Sequence, residues 1–219
     1  MILIPVKNLS SAKQRLAAML DQPSRTQLAQ TMLHDVVAAV AGCSGQPAAL
    51  VTGDPFAIEL ARKYDFEVIP DPENPGETGA IEMATRLCID RGIDSILVIP
   101  ADIPLIESRE LAEIFAQAPP QGSVLVPAAD GRGTNAAFQS PVDLFPLRFG
   151  NDSFKPHLAA ANATGKPCHV LHLPGIALDI DNPADLQTLL ERPGETRTQK
   201  MVRRLNFGPV FLQTGTESL

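Results

Sequence analysis

No uninterrupted apolar run in the chain approaches the roughly 18 residues that a membrane helix needs, so no spanning segment is expected. The N-terminal MILIPVKNLSSAKQRL carries its charges after a short apolar stretch, the reverse of a secretory signal, and a cytoplasmic location is the expectation. Cysteine is scarce. Cys43, Cys88 and Cys168 are widely spaced and form no C-x-x-C, which excludes a disulfide framework and a thiolate metal site. Neither G-x-G-x-x-G nor a Walker A sequence occurs, which argues against Rossmann dinucleotide binding and P-loop hydrolysis. Basic charge is in deficit, with 18 Lys and Arg against 25 Asp and Glu and a net charge of −7, so nucleic acid is not an expected partner. No Ser/His/Asp arrangement suggests a nucleophile. His34 and His157 fall on helical stretches among apolar neighbours and read as packed side chains. Internal repeats and low-complexity tracts are also missing.

What remains is an ordinary globular composition. The chain has 219 residues, 44% hydrophobic and 20% charged, enough for one domain with a sizeable core. Its charge is unevenly spread. Residues 1–25 hold Lys7, Lys13, Arg15 and Arg25 against Asp21 alone, and residues 192–206 hold five cations against Glu195, while the body between them is acidic. A small basic loop on an acidic body suits a compact anionic ligand better than a long polyanion.

Strands and helices alternate. The apolar runs 2–6, 48–52, 66–70, 95–100 and 123–127 read as buried strands, with 135–140 and 168–173 as further strands. Helices are expected over 12–20, over 28–42, where Leu28, Met32, Val36 and Val40 recur at i+4, and over 56–64, 80–92, 110–118, 153–165 and 183–192. Pro23-Ser24 reads as a break between the first two. Little in-out alternation in the strands implies a mostly parallel sheet covered on both faces, an α/β three-layer sandwich. After Pro193 the periodicity fades, so 1–192 reads as the domain and 193–219 as a basic tail. Its later apolar residues Phe207, Val210, Phe211 and Leu212 suggest an element that docks on the body or forms a homodimer.

In a parallel sheet ligands sit at the carboxyl ends of the strands. Strand 2–6 runs into Lys7, Lys13 and Arg15 beside an expected helix start, a cradle for phosphate; the alternative is a solvated helix start. Asp102 follows the central strand directly, and Asp179 and Asp181 lie in ALDIDNP, where strand alternation would put both on one face. Carboxylates from separate loops are what Mg²⁺ uses when it is shared with substrate phosphates. Helix capping is the alternative for Asp102 and for Asp181. The glycine, hydroxyl and guanidinium groups of GRGTN (131–135) and RFGNDSF (148–154) suit a small phosphorylated acid, or are two ordinary turns.

Taken in order, IPVKNLSSAKQRL, VIPADIPLI, GRGTNAAF, RFGNDSF and ALDIDNPADL resemble the guanylyltransferases of deazaflavin coenzyme F-420 biosynthesis, over about residues 1–190. The resemblance implies a glycosyltransferase-A-like nucleotidyltransferase fold. It also implies transfer of GMP from GTP to phosphoenolpyruvate or 2-phospho-L-lactate, release of pyrophosphate, and a need for Mg²⁺. A downstream deazaflavin transferase would then be a functional partner. Residue by residue, it implies that Thr134, Gly150 and Ser153 bind the acid and that Asp102 with Asp179 or Asp181 binds metal. Lys7, Lys13 and Arg15 would face the triphosphate. Relatives carry a Gly-Leu-Asn-Ala-like turn where this chain has Gly76-Glu77-Thr78-Gly79-Ala80. The resemblance therefore does not say which groups read the guanine. Another nucleotidyltransferase of the same fold, of molybdopterin or sugar-phosphate type, or a non-catalytic nucleotide-sensing module, would share part of this pattern.

Overall fold

The structure is a computed structural model that describes residues 1–43, 45–71, 76–150 and 152–205. A seven-stranded sheet has the order β3-β2-β1-β4-β6-β5-β7. Its strands are β1 (Ile2–Val6), β2 (Ala48–Thr52), β3 (Glu67–Pro70), β4 (Ile96–Val98), β5 (Gly122–Pro127), β6 (Thr134–Ser140) and β7 (Cys168–Val170). All pairings are parallel except those of β6, which runs against both β4 and β5. Among the described residues there are seven α-helices, the first six around the sheet and the last outside α1: α1 (Gln22–Ala41), α2 (Pro55–Lys63), α3 (Glu77–Asp90), α4 (Ser108–Gln117), α5 (Phe154–Ala163), α6 (Pro183–Glu191) and α7 (Arg197–Arg204).

The strands are apolar on both sides because both sides are covered. Ile2, Ile4, Leu50, Leu97 and Ile99 pack with Leu28, Met32 and Val36 of α1 and with Leu60, Leu111 and Leu186 of α2, α4 and α6. Leu3, Ala49, Val51, Ile96 and Val98 face the other way, toward Ile81 and Ala84 of α3 and Ala161 of α5. This is the three-layer α/β architecture that the uniform apolar runs imply.

One helix is not where periodicity places it. Residues 12–20 form no α-helix; two short 3₁₀ turns, Leu9–Ser11 and Gln14–Leu16, stand there instead. Lys13 between them is left-handed (φ 56°, ψ 42°), which ends helical hydrogen bonding at once. Leu16 and Leu20 are buried, so the apolar spacing anchors a loop. Pro23 does not break a helix but belongs to the first turn of α1, where its missing N–H costs nothing. Asp21 caps that helix through Ser24 N at 2.9 Å.

Residues 197–204, read from sequence as part of a basic tail, form α7 against α1. Val202 is fully buried, and the Asp35 carboxylate of α1 accepts from the backbone N–H groups of Arg197 (3.1 Å) and Thr198 (2.8 Å). Phe207, Val210, Phe211 and Leu212 lie outside the described residues. Among the described residues no helix is long and apolar enough to cross a membrane.

The topology sorts the loops. The carboxyl ends of the parallel strands gather on one rim of the sheet. Because β6 is antiparallel, its first residues, Thr134 and Asn135, open on that same rim. The opposite rim holds short exposed turns such as Arg91–Gly92 and Gly165–Pro167.

Candidate active site

The loop after β1 is tied to the end of β2. Thr52 Oγ1 donates to Val6 O (2.9 Å) and accepts from Asp54 N (2.9 Å). Asp54 caps α2 with one carboxylate oxygen and receives Leu9 N with the other (2.9 Å). The left-handed turn at Lys13 then sends its side chain inward. Lys13 Nζ donates to Asp102 Oδ2 at 2.6 Å and to Asp181 Oδ1 at 3.0 Å, and Arg15 Nη1 reaches Asp181 Oδ2 at 3.1 Å. Burial opposes the charge on Lys13, but Asp102 and then Asp181 outweigh it and hold the pKa above the usual lysine value. Burial likewise opposes ionisation of Asp181, and Lys13 and Arg15 overcome it, holding its carboxyl below the usual range.

Neither aspartate is spent as a helix cap. The start of α4 is closed by Glu107 and Glu110, and the start of α6 by Asn182 and Asp185. Asp185 accepts the N–H groups of Asp181 and Asn182, each at 2.8 Å, which leaves the Asp181 side chain free to face Lys13. Asp179 and Asp181 lie in irregular chain rather than in a strand, so the alternation argument for them fails. Asp179 turns instead to Asn135, whose Nδ2 donates to its Oδ1 at 3.0 Å and to Ile176 O at 3.0 Å. Burial, first of all, raises the Asp179 pKa. Glu110 fastens the preceding turn by accepting Gly175 N at 2.7 Å, so α4 indirectly fixes both aspartates.

Two cavities open on this rim. The first, about 510 Å³, is lined by Lys7, Lys13, Arg15, Asp102 and Asp181 among others. The second, about 300 Å³, is lined by Arg132, Thr134, Asn135, Gly150, Ser153 and Asp179. They share one wall made of Arg15, Glu77, Pro100, Asp102 and Asp181. All nine residues singled out from the sequence thus border one or both cavities. Gly150 has φ +143°, a backbone that side-chain-bearing residues rarely adopt, so the turn at the mouth of the second cavity calls for glycine. Thr134 N donates to Ser153 Oγ at 3.0 Å, which joins the start of β6 to the start of α5.

A family model described as "Guanylyl transferase CofC like" matches residues 1–218. The chain belongs to this guanylyltransferase family. It is 33% identical over 201 residues to the phosphoenolpyruvate guanylyltransferase of Roseiflexus castenholzii, covering 92% of each chain. It is 36% identical over 187 residues to that of Rubrobacter xylanophilus, covering 85% of this chain and 91% of the relative. The 3-phospho-D-glycerate guanylyltransferase of Colwellia psychrerythraea is 33% identical over 189 residues, with 86% and 90% covered. Among solved structures, a Desulfovibrio desulfuricans protein assigned to the nucleotide-diphospho-sugar transferases superposes with a TM-score of 0.74 at 18% identity, covering 92% and 93%. A 4-diphosphocytidyl-2C-methyl-D-erythritol synthase gives a TM-score of 0.57 at 15% identity, covering 86% and 95%. These two likenesses establish the nucleotidyltransferase fold. The family match and the guanylyltransferase relatives make the protein a nucleotidyltransferase enzyme.

In or against the candidate site stand three residues that sequence reasoning left without a role. Glu77, the first residue of α3, lies in the wall between the cavities; burial, and then the charge of Asp102, push its pKa up to about 7. It falls in the turn where this chain departs from its family's pattern, which was the available signal. Asn135 was visible in GRGTN, but its link to Asp179 joins residues 44 apart in sequence. His157 is fully enclosed, as its apolar neighbours imply, yet it touches Thr134.

Proposed function

We propose that this guanylyltransferase moves GMP from GTP to a phosphorylated three-carbon acid, phosphoenolpyruvate in preference to 2-phospho-L-lactate, and releases pyrophosphate. The single observation that carries the reading is the pair of adjoining cavities. One that carries Lys7, Lys13 and Arg15 and one that carries Thr134, Ser153 and Arg132 meet at a wall that holds Arg15, Asp102 and Asp181. A nucleotide donor in the first and a small acid in the second would bring their phosphates together at that wall. The names of the Roseiflexus and Rubrobacter relatives support phosphoenolpyruvate as the acid. The resemblance of its motifs to the F-420 guanylyltransferases supports a role in deazaflavin coenzyme F-420 biosynthesis, ahead of a deazaflavin transferase.

Lys7, Lys13 and Arg15 bind the triphosphate and stabilise the departing pyrophosphate as charge collects on it. Thr134, Ser153 and the Gly150 backbone hold the acid so that a phosphate oxygen faces the α-phosphorus of GTP. That oxygen forms the new P–O bond as the bond from the α-phosphorus to pyrophosphate breaks. The acceptor phosphate is already ionised at neutral pH, so no general base is required. Asp102 and Asp181 offer two carboxylates that converge on one positive charge, here Lys13 Nζ, and such a donor set fits Mg²⁺ shared with phosphate oxygens. Asp179 stands one step back, on Asn135. When bound there, the ion would supply neutralisation of the phosphate charge.

Pyrophosphate release, measured with each nucleoside triphosphate, Mg²⁺ and each of phosphoenolpyruvate, 2-phospho-L-lactate and 3-phospho-D-glycerate, tests the reading. Turnover is expected with GTP and phosphoenolpyruvate. Activity only with 3-phospho-D-glycerate would move the acceptor to that of the Colwellia relative. Release with another triphosphate and none with GTP would overturn the donor.

A further inference from the structure

Thr134 and Ser153 carry more hydrogen-bond wiring than a substrate contact needs. The backbone N–H of Arg148 donates to Nε2 of His157 at 2.8 Å. A ring nitrogen that accepts a hydrogen bond carries no hydrogen, so a neutral His157 holds its proton on Nδ1. Burial lowers the His157 pKa to about 4, which keeps the ring neutral at pH 7. The rings of Phe145 and Phe149 pack beside it, with centroids at 6.4 and 5.2 Å, and exclude water from that side. Nδ1 lies 2.9 Å from Thr134 Oγ1, so the imidazole is the donor and the threonine hydroxyl the acceptor.

The consequence is a count of protons. Thr134 N donates to Ser153 Oγ, and the two hydroxyl oxygens are 3.3 Å apart. The pair owns two hydroxyl protons. One lies between the two oxygens, whichever way that bond points. The other has no acceptor among the described residues and belongs to a pair of side chains that line the second cavity. With the opposite tautomer, Nδ1 would accept from Thr134, Thr134 would accept from Ser153, and no hydroxyl proton would be left for a ligand.

We propose that His157 is a positioning residue. By donating to Thr134 Oγ1 it forces the Thr134–Ser153 pair to present one O–H donor to the cavity, and so selects an anionic oxygen of the acceptor. This rests on the reading that the second cavity takes the acid. It assigns specificity for phosphate or carboxylate to a residue that never touches the substrate.

Steady-state KM values for phosphoenolpyruvate and GTP test it in Thr134→Val, His157→Phe, the double variant, and His157→Asn, whose amide nitrogen replaces Nδ1 as donor. His157→Phe should raise the phosphoenolpyruvate KM roughly tenfold, the scale of one lost hydrogen bond, with the GTP KM changed less than about twofold. His157→Asn should recover most of the loss, and the double variant should be no worse than Thr134→Val. Additive penalties, or an Asn variant as poor as Phe, would overturn the relay while leaving the acceptor site intact. A phosphoenolpyruvate KM unmoved by Thr134→Val would overturn the acceptor site and the relay together. Should His157→Phe fail to fold, nitrogen-15 shifts of His157 in the unaltered protein decide the matter. They should report a neutral ring protonated on Nδ1 at pH 7, and a ring protonated on Nε2 or on both nitrogens would overturn the proposal.

Discussion

Replacing Asp102 with asparagine separates stability from catalysis. The substitution keeps the side chain's shape and an oxygen that can accept from Lys13, while it removes one negative charge. At 2.6 Å and an effective dielectric near 20, the gross attraction between Lys13 and Asp102 is about 6 kcal/mol. Most of that is offset. The carboxylate no longer has to be desolvated, its repulsion of Glu77 disappears, and Lys13 keeps Asp181 at 3.0 Å. A net loss of about 1–2 kcal/mol is expected, equivalent to a fall in Tm of about 2–8 °C for a chain of this size. Turnover should fall far more, at least about a hundredfold, or about 2.7 kcal/mol of transition-state stabilisation, because the missing charge is needed where phosphates meet. Thermal melts and pyrophosphate release on the same preparation give both numbers. Near-native turnover at saturating Mg²⁺ would take Asp102 out of the chemistry, and a fall in Tm well beyond this range would make its role structural.

Other outcomes follow from single contacts. Ser153→Ala should raise the KM for the acid by about one to two orders of magnitude, as expected for a hydrogen bond to a charged group, and leave that for GTP almost unchanged; the opposite pattern would place the nucleotide in the second cavity. His157 has a folded pKa depressed to about 4, so its contribution to stability is present above the unfolded value near 6.5 and is lost as the pH falls toward 4. Urea titrations across that window should show a steeper acid loss for the native chain than for His157→Asn, and parallel curves would refute the assignment. Glu77 has the opposite sign: its raised pKa makes the folded state less stable as pH rises from about 4.5 to 7, so Glu77→Gln should gain stability mainly at pH 7 and above. An equal gain at pH 5 would show that something other than ionisation is responsible. Asp35→Ala should cost about 1–2 kcal/mol by removing the acceptor that ties the first turn of α7 to α1, and leave kcat unchanged; a loss of activity would connect α7 to the site.

The sheet was legible because each strand is buried on both faces, which makes its run of apolar residues continuous, and the structure contains every strand those runs suggest. The segment before α1 was misread for an equally physical reason. The spacing of Leu16 and Leu20 is compatible with a helix, and only the left-handed backbone at Lys13, dictated by carboxylates about ninety and one hundred and seventy residues away, breaks it. Local pattern cannot carry that information. Asp102 stood out because it follows a buried strand. The separation of Asp179 from Asp181 did not, because the chain there is held by Asn135, Glu110 and Asp185 rather than by strand pairing. α7 was hidden by its composition. With six polar or charged residues among RTQKMVRR around one buried valine, it is held by Asp35 and Gln199 more than by an apolar stripe.

The one-sided gathering of the loops also bears on how the chain can be lengthened. The exposed turns at Arg91–Gly92 and Gly165–Pro167 lie a full strand length from the cavities, about 16 Å at 3.3 Å per residue. Extra residues spliced there meet neither ligand nor core, and they add only the entropy of a longer closed loop, about 0.6 kcal/mol for each doubling. A fluorescent domain or an affinity handle inserted at either turn would therefore report on the enzyme without perturbing it, whereas a single residue added between Val6 and Lys13 would change the register of the buried lysine against both aspartates.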